Sequence, residues 1–175
     1  MNDVMNAILT RRSERIFSEQ RIPEVILKDL AEAALHAPSG RGLKTWQFFV
    51  ISDRKYIRRL AKAIEEELNR PGYDMYEPTA LIMPTNLRDS RFGKEDNACA
   101  LQNIFLAAHS YGVGSVWINQ LQNICDTERI RPLLREIGVP EDHVVYGMAA
   151  LGYPDPNAPG NSYHEGGEVH FISGD

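Results

Sequence analysis

The chain has 175 residues, 43% of them hydrophobic and 25% charged, with a formal net charge of −5 at pH 7. This is the composition of one soluble globular domain, long enough to bury a full core. The acidic balance argues against nucleic acid as the main partner. Two cysteines, Cys99 and Cys125, make neither a disulfide framework nor a zinc site and are expected as free thiols in a reducing cytoplasm.

The first residues, MNDVMNAILTRRS, lack the charged start and apolar core of a secretory signal. Val4, Ile8 and Leu9 predict a short helix with an apolar stripe. Arg11-Arg12-Ser13-Glu14-Arg15 follows, a concentration of guanidinium groups and a hydroxyl that can hold a phosphate bidentately or simply form a solvated turn. Pro23 opens the next helix, with Val25, Ile26, Leu30, Ala33 and Ala34 as its core stripe, and Pro38 ends it. The loop through Ser39, Gly40, Arg41, Gly42 and Lys44 is rich in glycine and donors, suited to an idle turn or to wrapping an anionic or heterocyclic ligand.

Trp46 to Ser52 is a strand by its aromatic and β-branched content. Asp53 caps an amphipathic helix carrying Ile57, Leu60, Ala61, Ile64 and Leu68, which Arg70-Pro71-Gly72 breaks. The path of residues 73–77 cannot be assigned from sequence. Ala80 to Met83 is a brief strand, expected to lie at an edge or to end at Pro84. Asn86 to Glu95 is a polar loop.

No Asp, Glu, Lys or Arg falls between Asp96 and Asp126, so this stretch marks the buried centre. Its first part is a helix to Tyr111, with Asp96 at its N-terminal end and Gly112 at its stop. Gln102, Asn103, His109 and Ser110 form an uncharged polar stripe, and the run is too interrupted to span a membrane. Gly114 to Ile118 is a buried strand ending in the polar Asn119 and Gln120, where a ligand site is expected. A helix reaches Ile137, starting at Asp126 or Thr127 or, given Pro132, near Arg131. His143 to Leu151 is a last core strand, and Glu168 to Ile172 forms another if it finds an edge to pair with. One domain, residues 1–175, accounts for the whole pattern.

Fingerprints for other chemistries are missing. Gly112-Val113-Gly114 begins a dinucleotide motif, but Trp117 stands where its third glycine belongs, and the motif follows a helix. There is no Walker loop, no GxSxG, no HExxH and no metal-spaced cluster. Any difficult chemistry falls to a cofactor.

Four segments together resemble the FMN-dependent nitroreductases. They are Arg11-Arg12-Ser13-x-Arg15-x-Phe17, Ala37-Pro38-Ser39-Gly40 with Trp46-x-Phe48, Asp96 through Trp117 with Gln102-Asn103 and Gly112-Val113-Gly114-Ser115, and Gly152-Tyr153-Pro154. The resemblance implies an α+β fold, with a mostly antiparallel central sheet flanked by helices, in an intertwined homodimer with FMN at the interface. It implies Arg11, Arg12 and Ser13 at the phosphate and ribityl end, and Arg15 at the N1/O2 edge of the flavin. The loop with Pro38, Ser39, Gly40, Gly42 and Lys44 would come from the partner subunit. Backbone N–H groups around Asn119 and Gln120 would face N5 and O4. The implied activity passes hydride from NAD(P)H to a small organic acceptor (a nitro compound, quinone or enone) by a ping-pong scheme, in the cytoplasm, with no metal and no side-chain nucleophile. A flavin-binding protein with little turnover is the alternative. The family often has Asn where this chain has Gly42, and Gln where it has Lys44. Many members carry a Lys or Arg soon after Gly-Tyr-Pro; residues 155–167 contain neither, leaving His164 as the candidate replacement.

Overall fold

A computed structural model of the chain describes residues 2–159 and 166–174. Its centre, among the described residues, is a five-stranded antiparallel sheet: β1 (Trp46–Ile51), β2 (Ala80–Leu87), β3 (Gly114–Ile118), β4 (His143–Val144) and β5 (Met148–Gly152). The order across the sheet is β1-β2-β5-β3, with β4 also paired to β2. The expected α+β architecture is therefore present. Period-two alternation along β2 sends Leu81 and Met83 to one face and Ala80 and Ile82 to the other. The first face packs under α3 (Arg54–Glu67) and α5 (Arg131–Glu136), through Ile57, Leu60, Ile64 and Leu134. The second packs under α2 (Glu24–Leu35) and α4 (Gly93–Ser110), through Leu27, Leu30, Leu101 and Ile104. Both faces of the sheet are covered, which is why β2 is buried along nearly its whole length.

Pro84 neither ends β2 nor puts it at an edge. β2 runs on to Leu87, with Pro84 opposite Phe48 of β1. On its other side β2 pairs with β5 over Ala80–Ile82 and with β4 over Asn86–Leu87. Pro84 falls between those two pairings, where no ladder donor is required, and its carbonyl accepts from Asn97 Nδ2 at 3.3 Å. The expected strand from His143 is likewise broken into β4 and β5. At the break, a Cβ on Gly147 would lie 2.5 Å from Nε1 of Trp117, so Gly147 admits the indole. α5 takes the later of the two expected starts, with Pro132 in its first turn, where its missing N–H costs nothing.

α4 begins three residues before Asp96, which lies buried in its first turn rather than at its cap. Only one face of α4 is covered by its own chain; Gln102 and Ser110 are exposed and Leu106 is half-buried. α1 (Asp3–Thr10) buries none of its residues, and Val4, Met5, Ile8 and Leu9 are all exposed. Residues 168–172 form no strand. Val169, Phe171 and Ile172 stand free in solvent, because no edge of their own sheet pairs with them.

Candidate functional site

The arginine-rich segment is neither helix nor free turn: it is threaded between β3 and the chain leaving β5. Ser13 bridges Ser115 in parallel, and Glu14 N–H donates to the Ser115 carbonyl at 3.0 Å. Phe17 bridges Pro154, and Ser18 N–H donates to the Tyr153 carbonyl at 2.8 Å. Ser13-Glu14 is thus laid along β3, and Phe17-Ser18 along Tyr153-Pro154, far away in sequence. Arg12 turns back on α1, its Nη1 donating to the carbonyls of Leu9 and Arg11 at 2.8 Å each, which satisfies acceptors at a helix C-terminus. Arg11 is half-buried, and no carboxylate among the described residues pairs with it. Burial, with the Arg12 charge alongside, pushes its guanidinium below the ordinary value. Arg11, Arg12, Glu14, His109 and Gly112 line a cavity of about 210 Å³, and His109 Nε2 lies 2.7 Å from Thr10 Oγ1. Two guanidinium groups against the single carboxylate of Glu14, with Arg11 partly desolvated and in no ion pair among the described residues, give the cavity an excess of positive charge that suits an anion.

The loop after α2 is fastened elsewhere. Ser39 Oγ donates to Asp96 Oδ2 at 2.9 Å, and Gly40 N–H donates to Asp96 Oδ1 at 2.8 Å. Lys44 N–H donates to Ser39 Oγ at 2.9 Å. The Ser39 hydroxyl is therefore committed to shaping the loop. Gly40 is obligatory, since a Cβ there would come within 2.3 Å of the Phe92 ring. Arg41, Gly42 and Lys44 are all left-handed, with φ of 56°, 66° and 48°. Pro38, Gly42 and Lys44 are exposed, so the loop presents an open surface. It is pinned at the start of α4, while Arg11 lies at the helix's far end beside His109. From residue 96 to residue 109 the helix rises about 20 Å. One chain therefore holds the two expected halves of the site apart.

β3 delivers Asn119 and Gln120 as expected, at the start of a 3-10 turn, Gln120–Asn123. The Asn119 N–H is engaged by the Gln120 side chain at 3.0 Å. Gln120 also walls an open cleft of about 410 Å³ with Arg70, Tyr73 and Tyr76. Residues 73–77, unassignable from sequence, thus bring Tyr73 and Tyr76 to this cleft. Met75, Tyr76 and Glu77 are consecutive left-handed residues with φ of 57°, 67° and 47°, a conformation costing roughly 1–2 kcal/mol per residue. The Tyr76 ring lies under Arg15, whose Cζ is 5.9 Å from the ring centroid. Asp96, His109 and Tyr76 were not singled out as site residues by the sequence. Only Asp96 carried a usable cue, as an acid on the last turn before a long uncharged run. His164 lies outside the described residues.

The Nitroreductase family model matches residues 8–80 and 72–153. The chain belongs to the nitroreductase family. It is 30% identical over 158 residues to an Archaeoglobus fulgidus protein bearing the provisional name NADH dehydrogenase/NAD(P)H nitroreductase, with 88% of this chain and 87% of that one covered. It is 29% identical over 168 residues to the NADPH-flavin oxidoreductase of Vibrio harveyi, covering 90% of this chain and 68% of that protein. The nitroreductase of Bacteroides fragilis, crystallised with FMN bound, superposes with a TM-score of 0.91 at 32% identity, covering 99% of this chain and 100% of that one. Nitroreductase membership agrees with the four segments from which the resemblance was drawn. No helix among the described residues is long and apolar enough to cross a membrane.

Proposed function

We propose that this nitroreductase is a single flavin-binding domain that acts as an FMN-dependent oxidoreductase, passing hydride from NAD(P)H to a small organic acceptor of the nitro, quinone or enone class. The observation that carries the reading is Arg11: half-buried, in no ion pair among the described residues, opening with Arg12 on a small cavity beside β3. A phosphate would balance the two guanidinium groups that Glu14 alone does not, so the residues present fit the phosphate end of FMN. Arg11 and Ser13 would hold that end, and His164 would stand in for the late Lys or Arg. Arg15 would lie along the N1/O2 edge, where a cation stabilises the negative charge gained on reduction. The Gln120 N–H would reach N5 and O4, joined by the Asn119 N–H once the Gln120 side chain releases it. Arg12, engaged with α1, would contribute charge rather than a direct contact. When bound, FMN would supply the hydride chemistry that no side chain here offers.

The loop of Pro38, Ser39, Gly40, Gly42 and Lys44 would complete the site from a second copy. Its separation from Arg11 along α4 supports this, as do the uncovered faces of α1 and α4 and the unpaired apolar tail. A homodimer closing those surfaces would bury more than about 2,000 Å². NAD(P)H and the acceptor would occupy the same space in turn, since transfer needs reacting atoms about 3–3.5 Å apart. We place the reaction in the cytoplasm, where two free thiols persist.

An absorption spectrum of the purified protein tests the cofactor; a colourless protein that takes up no FMN would refute the reading. Initial rates at several fixed acceptor concentrations should give parallel lines, and intersecting lines would mean a ternary complex. Sedimentation should show a dimer at micromolar concentration. Residues 155–167 contain no Lys or Arg, which favours as second reading a flavin carrier with little turnover. Bound FMN without acceptor-dependent NAD(P)H oxidation would select it.

A further inference from the structure

We propose that Tyr76 is a positioning residue for Arg15: its ring holds the guanidinium at the flavin edge without neutralising it, and so favours the reduced cofactor. The inference rests on the flavin reading above. Arg15 is exposed, and its one described hydrogen bond is long, 3.4 Å from Nη1 to the Ser13 carbonyl. No carboxylate among the described residues pairs with it. What it does have is the face of Tyr76, 5.9 Å from Cζ to the centroid. A carboxylate there would anchor Arg15 more firmly but would cancel the charge needed to stabilise a reduced ring. An aromatic face restrains a cation and leaves its charge available.

Tyr76 is itself fixed by backbone rather than by its own side chain. The turn Met75–Glu77 is left-handed throughout and contains no glycine. Asp74 Oδ1 accepts from Tyr76 N–H at 2.8 Å, and Asp74 O accepts from Glu77 N–H at 3.2 Å. Met75 is fully buried in the core beneath α3, and Thr79 N–H donates to the Leu151 carbonyl at 2.9 Å, tying the exit to the sheet. With Met75 turned inward, the next residue is sent outward, and Tyr76 remains 38% exposed. The same ring walls the cleft shared with Gln120. It thus stands between the cation and the space where an acceptor would enter. Strain held by a buried anchor and two backbone ties fits a side chain whose placement matters.

The test compares Tyr76→Phe and Tyr76→Trp, which keep a ring, with Tyr76→Leu, which does not. Oxidised FMN is titrated by fluorescence quenching, and the redox midpoint of the bound cofactor gives the affinity for its reduced form. Phe and Trp should keep the wild-type ratio of reduced to oxidised affinity. Leu should lower that ratio about two- to fivefold, the size of an exposed cation–aromatic contact. In an Arg15→Gln background, Tyr76→Leu should change the ratio no further. Equal loss for both redox forms, or the same loss without Arg15, would overturn the inference. Because Tyr76 is partly exposed, Leu is expected to fold; should it not, the Phe and Trp ratios still decide, a drop in either counting against the proposal. A wild-type protein that takes no FMN in either state would instead bring down the flavin reading itself, a failure visible before any variant is made.

Discussion

Asp96 holds both the hydroxyl of Ser39 and the amide of Gly40, so a carboxylate at the start of the central helix dictates the shape of a loop more than fifty residues earlier. Asp96 is only 4% exposed, and removing it strands two part-buried donors. Asp96→Ala should cost about 2–3 kcal/mol, as loss of charged hydrogen bonds does. It should also loosen the loop, so that trypsin cuts faster after the already exposed Arg41 and Lys44. Digestion no faster than wild type, with an unchanged urea midpoint, would mean that the loop is shaped by something else.

His143 gives the protein an acid-sensitive point. Its ring is buried, Nδ1 lies 2.8 Å from Thr85 Oγ1, and burial lowers its pKa from 6.5, with Asp142 partly opposing. The unfolded chain therefore binds the proton more readily than the folded one. Stability from this group is complete above the unfolded value of about 6.5 and is lost as pH falls through the lowered folded value. Denaturation midpoints should drop as pH falls below about 6.5, and His143→Gln should flatten that slope. An identical slope in the variant would clear His143 of any part in it.

Asp126 sits between two arginines, 2.5 Å from Arg88 Nη1 and bonded to Arg131, whose side chain is 8% exposed. The Arg88 hydrogen bond, aided by Arg131, holds its carboxyl at about 2. Arg131 also donates to the carbonyls of Pro140 and His143, which ties α5 to β4. Asp126 is half exposed, so screening reduces its worth, and Asp126→Asn should cost about 1 kcal/mol at neutral pH. The difference between wild type and variant should be full above about pH 4 and vanish as pH falls through 2. A difference that persists at pH 2 would show that charge is not its source.

Gly147→Ala should disturb Trp117. The added methyl would sit 2.5 Å from Nε1, and the indole is already packed against Phe105 with centroids 6.1 Å apart. Overpacking of this kind costs about 1–3 kcal/mol. Trp117 is 39% exposed and can swing outward, so the lower end is expected, with a red-shifted emission. An unchanged spectrum would mean that the backbone gives way instead.

How much of this was legible in the sequence depended on how local its cause was. The strand Trp46–Ile51 and the helix with Ile57, Leu60 and Ile64 declare themselves by periodicity. Pro84 misled because a proline in a central strand is acceptable only where two partner strands leave a gap, and that gap is made by β4 and β5, some sixty residues later. The left-handed turn at 75–77 has no glycine to announce it, so its backbone is set by a buried methionine and a tied exit rather than by local preference. The arginines and the glycine-rich loop were each recognisable by residue type. Their separation along α4 was not, because it depends on which end of the helix each one reaches.

α1 has eight residues and buries none of them. An isolated helix in water needs about 12–15 residues to be even marginal. The Asn2 cap at one end and the contacts of Thr10 and Arg12 at the other are few ties for so short a segment. In a dilute, unassembled chain its amide hydrogens should exchange with solvent nearly as fast as those of an unfolded peptide. Slow exchange there would report that a second surface has closed over Val4, Ile8 and Leu9. The most weakly held helix of the chain is thus the most sensitive gauge of whether the molecule has found its company.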